Sequence, residues 1–141
     1  MTTTSVALVL AATRLAAHLA ENTLPEVVSL EVETRNMLSE LTVQLGSTSL
    51  PTVAGELLVW AETLPTVTVT AWRVPHGERV HLSLASTVSG PPLTIELEVF
   101  GGVTHDPEHF ADLEPGEHRV IPLAQLRAWA SSGPALEQGA D

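Results

Sequence analysis

Apolar residues recur along this chain with two different periods, and the switches between them mark out its elements. From Ser5 to Asn22, the residues Leu8, Ala11, Ala12, Leu15 and Leu19 recur at intervals of three and four, the spacing of one face of an α-helix. Thr4 or Ser5 can cap its first turn, and Asn22 followed by Pro25 marks its end. From Val27 to Thr34 the period drops to two, with Val28, Leu30 and Val32 on one side and Ser29, Glu31 and Glu33 on the other. That is a half-buried strand. Leu41, Val43 and Leu45 repeat the pattern opposite Thr42 and Gln44. A turn at Arg35-Asn36 would pair Leu30 with Leu41 and Val28 with Val43, apolar against apolar, which predicts a hairpin.

The helical period then returns. Ser47, Thr48 or Ser49 can cap a helix with Pro51 in its first turn and a wide stripe of Val53, Ala54, Leu57, Leu58, Ala61 and Leu64. After Pro65, the Thr/Val alternation from Thr66 to Thr70 and on to Val74 is strongly β. A turn at His76-Gly77 sets Ala71 against Leu82 and Val69 against Leu84. A second turn at Ser89-Gly90 sets Leu84 against Ile95, Leu82 against Leu97 and Val80 against Val99, completing a three-stranded meander. Pro91 and Pro92 suit a strand start or an edge, and Gly101-Gly102 reads as the strand's end. Val103 to Leu113 reads as a loop with one helical turn opened by Asp106-Pro107, and Glu114-Pro115-Gly116 as a turn. A short strand, His118 to Ile121, leads to a helix begun by Pro122 with Leu123, Leu126 and Ala130 on one face; Gly133-Pro134 stops it.

The expected architecture is α+β: a mainly antiparallel sheet of five to six strands with helices packed on one face. The order is helix, hairpin, helix, meander, short strand, helix. Residues 1–131 form one domain, and 132–141 read as a disordered tail. If the inward residues cover the helices, the far side of the sheet gathers Ser29, Glu31, Glu33, Thr42, Gln44, Thr68, Thr70, Trp72, His81, Ser83, Thr94, Glu96, Glu98 and Phe100. It is a polar face carrying two large aromatics.

Composition narrows the function classes. Seventeen acidic residues against six Arg and no Lys give a formal charge of −11, which repels phosphate backbones, so direct nucleic-acid binding is not expected. With no Lys there is no Schiff-base chemistry, and with no Cys neither disulfide, thiolate metal site nor thiol nucleophile. Met1 to Ser5 carries no Lys or Arg, so the apolar start reads as a structural helix, with an export signal as the alternative. No stretch is long enough to span a bilayer, and a cytoplasmic setting is expected.

For chemistry, the densest set of potential ligands is His105-Asp106-Pro107-Glu108-His109, with His118 close behind. His105 and His109 at a spacing of four, plus His118, make a candidate zinc triad. Against it, Asp106-Pro107 begins the helical turn and leaves His105 outside. No nucleophile elbow, phosphate loop, dinucleotide fingerprint or H-E-x-x-H occurs, and no cofactor is expected. The leading expectation is therefore a non-enzymatic module that binds a protein, or its own copy, through the sheet face or an edge. The candidate contact residues are Thr70, Trp72, His81, Glu96, Glu98 and Phe100. The alternatives are a small-molecule or metal site near His105 to His118, with or without enzymatic activity, and an acidic decoy of nucleic acid that occupies a basic protein.

Overall fold

The computed structural model describes residues 3–35, 38–90 and 93–132. The elements follow in the order α1 (Thr3–Glu21), β1 (Val27–Arg35), β2 (Leu38–Leu45), α2 (Leu50–Glu62), β3 (Thr68–Arg73), β4 (Arg79–Gly90), β5 (Leu93–Thr104), α3 (Pro107–Phe110), β6 (His118–Val120) and α4 (Leu123–Ser132). The strands form a single sheet in the order β1-β2-β5-β4-β3-β6, antiparallel throughout except for the β2–β5 pair. The β4–β5 hairpin is thus inserted between β2 and β3, which run in the same direction and are joined across the face by α2.

The core lies between one face of the sheet and the helices. Leu41, Val43 and Leu45 of β2, Ile95, Leu97 and Val99 of β5, Val80, Leu82 and Leu84 of β4, and Val69 and Ala71 of β3 meet Val53, Ala54, Leu57 and Trp60 of α2. The cap of α2 is Ser49, whose Oγ accepts from the Thr52 backbone N–H at 3.3 Å. α1 lies over β1, β2 and β5, α2 over β5 and β4, and α4 packs against α2.

α1 turns its Ala7, Ala11 and Leu15 into the core, while Leu8 and Ala12 are exposed. Ala11, Leu15 and the partly buried Leu19 are thus as expected, and Ala7 takes the place of Leu8 and Ala12 in the buried stripe. His18 stacks on the buried Trp60 with ring centroids 5.8 Å apart. Thr63 Oγ1 donates its single proton to the Trp60 carbonyl, so it accepts from His18 Nε2–H at 2.8 Å. This contact ties α1 to α2.

Strand registers differ from the expected ones by even steps. The first hairpin pairs Leu30 with Val43 and Val32 with Leu41, two residues from the expected register, and a bulge between Val27 and Ser29 leaves Val28 unpaired and exposed. The pairing of Ala71 with Leu82 and Val69 with Leu84 is as expected. The β4–β5 ladder is four residues longer in register: Leu84 meets Val99, Leu82 meets Gly101 and Val80 meets Val103. Ser89-Gly90 consequently lies within β4 and Gly101-Gly102 within β5. The connections at 36–37 and 91–92, and the helix stop and tail from 133 onward, lie outside the described residues. Among the described residues no helix is long and apolar enough to cross a membrane.

Gly101 continues the strand because α2 requires its missing side chain: a Cβ there would sit 2.8 Å from Val53 Cγ1 and 3.1 Å from Cγ2. A Gly101→Ala chain is expected to lose about 1–3 kcal/mol from overpacking, measured by urea unfolding. Adding Val53→Ala should recover part of that loss; a Gly101→Ala chain as stable as the parent would show that α2 does not seat there.

Candidate binding face

Side chains alternate across a strand, so the residues between the core positions emerge on the opposite side of the sheet, where the described helices do not reach. Four rings line up at one end of that face. Phe100 of β5 stacks on His81 of β4 at 5.1 Å, His81 meets Trp72 of β3 edge-on at 5.4 Å, and Trp72 stacks on His118 of β6 at 5.7 Å. The row crosses four adjacent strands. It holds because Trp72 is paired with both His81 and His118 across its two ladders, and because Gly102, opposite His81, leaves space that the Arg79 guanidinium fills.

The other end of the same face is acidic. Glu33 lies opposite Glu40, Glu40 lies beside Glu96, Glu31 lies opposite Thr42, and Thr42 lies beside Glu98. Five carboxylates thus share one side of three neighbouring strands, with Arg35 at the corner. Like charges placed opposite one another weaken a ladder by a few tenths of a kcal/mol per pair or more. The small residues Thr70, Ser83 and Ala85 form the floor of a depression of about 370 Å³ between the ring row and Glu98. A shallower depression of about 700 Å³ continues from it over Glu40, Glu96 and Glu98.

All six residues singled out from the sequence, Thr70, Trp72, His81, Glu96, Glu98 and Phe100, therefore emerge on this face. Two further members are new. Glu40 follows from the alternation around Leu41, and His118 joins only because β6 pairs with β3, a contact without a local sequence signal.

The candidate metal triad is not brought together. His105 Nε2–H donates to the Phe110 carbonyl at 3.0 Å, His109 Nδ1 bonds Asp106 Oδ2 at 2.9 Å beside Trp129, and His118 stands on the outer face against Trp72. The ligand atoms that do converge, within 4.8 Å, are those of Asp106, Glu108 and His109. Asp106 is there as the cap of α3, accepting from the Glu108 N–H at 2.8 Å. That backbone hydrogen bond, with the His109 contact, holds its carboxyl below the usual aspartate range.

No family model, curated protein or solved structure matches this chain, so the chemistry of the face itself must carry the functional reading.

His81 sits where the two ends of the face meet. Burial among the rings and the nearby Arg79 push its pKa below the ordinary 6.5, with Glu98 pulling the other way. The folded chain therefore resists protonating His81. As pH falls from above 6.5 toward the depressed value, the unfolded chain takes up that proton first, and the stability His81 contributes at neutral pH is lost. In NMR titration the His81 ring should report a midpoint below 6.5, moving lower in Glu98→Gln and higher in Arg79→Gln. A midpoint at or above 6.5, or shifts of opposite sign, would show that the imidazole is not held as described.

Proposed function

We propose that this chain is a non-enzymatic protein-interaction module whose outer sheet face receives a basic segment of a partner protein. The observation that carries the reading is the division of one continuous face into a row of four rings in mutual contact and a field of five carboxylates. Neither half is needed by the core. A guanidinium or ammonium group entering the depression lined by Trp72, Phe100 and Glu98 would pack beside the ring row and reach the Glu98 carboxylate, combining apolar contact with an ion pair. Neighbouring Arg or Lys side chains would meet Glu96 and Glu40 and relieve the repulsion among them. Flat aromatic rings bordered on one side by charge supply the residue types of an interaction hot spot and its rim.

A nucleic-acid decoy would use the carboxylates alone, so the rings separate the two readings. Selection from a random peptide library, followed by calorimetry on the selected peptides, should return Arg- or Lys-rich sequences. Their affinity should fall steeply with added salt. Trp72→Ala is expected to weaken binding about tenfold or more, and Glu96→Gln with Glu98→Gln to weaken it several-fold and flatten the salt dependence. The indole N–H resonance of Trp72 should shift on binding. Selection of neutral or acidic peptides, or binding that is indifferent to Trp72, would sink the proposal; indifference to Trp72 with full salt dependence would favour the decoy.

A further inference from the structure

The binding face leaves the sheet's free edge at β1 unexplained. Among the described residues, eight large apolar side chains are notably exposed, and six of them lie on two adjoining elements. Val6, Leu8, Val9 and Leu10 are on α1; Val28 and Leu30, at 58% and 47% exposure, are on β1. α1 buries only its Ala7, Ala11 and Leu15 stripe, yet is apolar well beyond it. A helix that is apolar on most of its circumference is normally covered.

The two edges of the sheet are also unequal. β6 exposes an edge of only three residues, one of the ways in which proteins blunt edge strands. β1 is nine residues long, bulged at Val28 and regular from Ser29 to Arg35, and has no strand on its outer side among the described residues.

We infer that this edge is where a second copy of the chain docks, with β1 pairing antiparallel to its counterpart and α1 packing on its counterpart in the helix layer. Three features select a copy of itself over an unrelated partner. The first is charge: two chains that each carry −11 repel one another over most of their surfaces, but from Val6 to Ala20 the only charged or titratable residues of α1 are Arg14 and His18. The second is shape. The first half of α1 exposes Val6, Leu8, Val9 and Leu10, while the second half exposes Ala12, Ala16, Ala17 and Ala20. At 3.6 residues per turn one flank of α1 carries Val6 and Leu10 followed by Ala17, and the other carries Leu8 followed by Ala12 and Ala16; on either flank a two-fold antiparallel arrangement sets large residues of one helix against small residues of the other, the self-complementarity that an isologous interface requires.

The third feature is the register of β1. Centred on Leu30, the pairing places Leu30 against its own copy on the helix side and Glu31 opposite Ser29 on the outer side. Centring on Glu31 or Val32 would set carboxylate against carboxylate. Centred on Leu30, β1 pairs over Val27 to Glu33, about 23 Å, beneath about 28 Å of α1; two layers roughly 20 Å deep then cover on the order of 500 Å² per chain, which reaches the ~1,000 Å² total that a specific interface needs.

Light scattering on the full chain at about 100 µM, well above the Kd of a stable interface of this size, should return twice the chain mass of 15.0 kDa. Leu30→Lys should reduce it to the single-chain mass with an unchanged circular dichroism spectrum, while Val120→Lys on the opposite edge should remain a dimer. Because the chain has no cysteine, Leu30→Cys supplies a second readout that does not depend on destabilising the fold. Under mild oxidation it should form a covalent dimer far faster than Val120→Cys. A monomer at that concentration, a dimer that survives Leu30→Lys, or crosslinking at Leu30→Cys no faster than at Val120→Cys would each overturn the inference. None of these readouts involves the ring row or a basic partner, so failure here leaves the proposed function untouched.

Discussion

Among the described residues helices cover only one side of this sheet, and that asymmetry governs the rest of the molecule. The covered side is built largely from Leu, Val and Ala, with Trp60 and Phe110 as its largest fully buried side chains. Such a core gains its stability from close packing, roughly 0.8 kcal/mol for each buried methylene, and Gly101 is the price of bringing α2 near enough. Chain hydrophobicity is concentrated there. Large rings on the opposite side are then surplus to folding, since strands of a one-sided antiparallel sheet can present Thr, Ser and Gln to water at no cost to the core. Trp72, Phe100 and the two histidines between and beside them stand out against that background, as do the carboxylates of Glu33, Glu40 and Glu96 in adjacent strands.

How much of this was legible in the sequence depends on what a period of two can encode. Alternation assigns each residue to a face, and every outer-face residue expected from it does lie on strand positions of that parity. It says nothing of register beyond odd or even, because a shift of two residues leaves each side chain on the same side. The first hairpin is therefore displaced by two and the β4–β5 ladder by four, both without any change of face. Only at His76-Gly77, where Gly77 takes a positive φ of 98°, did local turn chemistry fix the register itself. Gly101-Gly102 misled for a related reason. Two glycines end a strand more often than they continue one, and the α2 side chain that makes Gly101 necessary is distant in sequence.

The candidate site was legible to the same extent. Thr70, Trp72, His81, Glu96, Glu98 and Phe100 come from parity alone, as Glu40 could have done. His118 could not, because its place in the ring row follows from β6 adding to β3, and a three-residue strand carries no signal of its partner. The parallel β2–β5 pair, which brings Glu40 beside Glu96, is equally silent: parallel neighbours share no turn, and their register is settled by the helices packed across them. The His105, His109 and His118 grouping failed through proximity in sequence. Asp106 was needed as a cap, which turned His109 toward it and left His105 to satisfy the Phe110 carbonyl.

The two surfaces are linked by where they lie on the sheet. The acidic field occupies the β1, β2 and β5 side of the outer face, and the ring row runs from β5 to the opposite edge at β6. Joining two chains through β1 would bring both acidic fields together as one central band and carry a ring row to either flank. A basic segment with cationic groups at both ends could then engage both rows, so that its second contact forms at high effective concentration. The same geometry costs electrostatic energy, because Glu31 and Glu33 of each chain approach those of the other. A bound cationic segment offsets that repulsion and a screening salt reduces it, so pairing of the chains and occupancy of the face should reinforce one another by a common coupling free energy. The edge would supply apolar contact that is insensitive to salt, and the face would supply the charge that decides which partner is held.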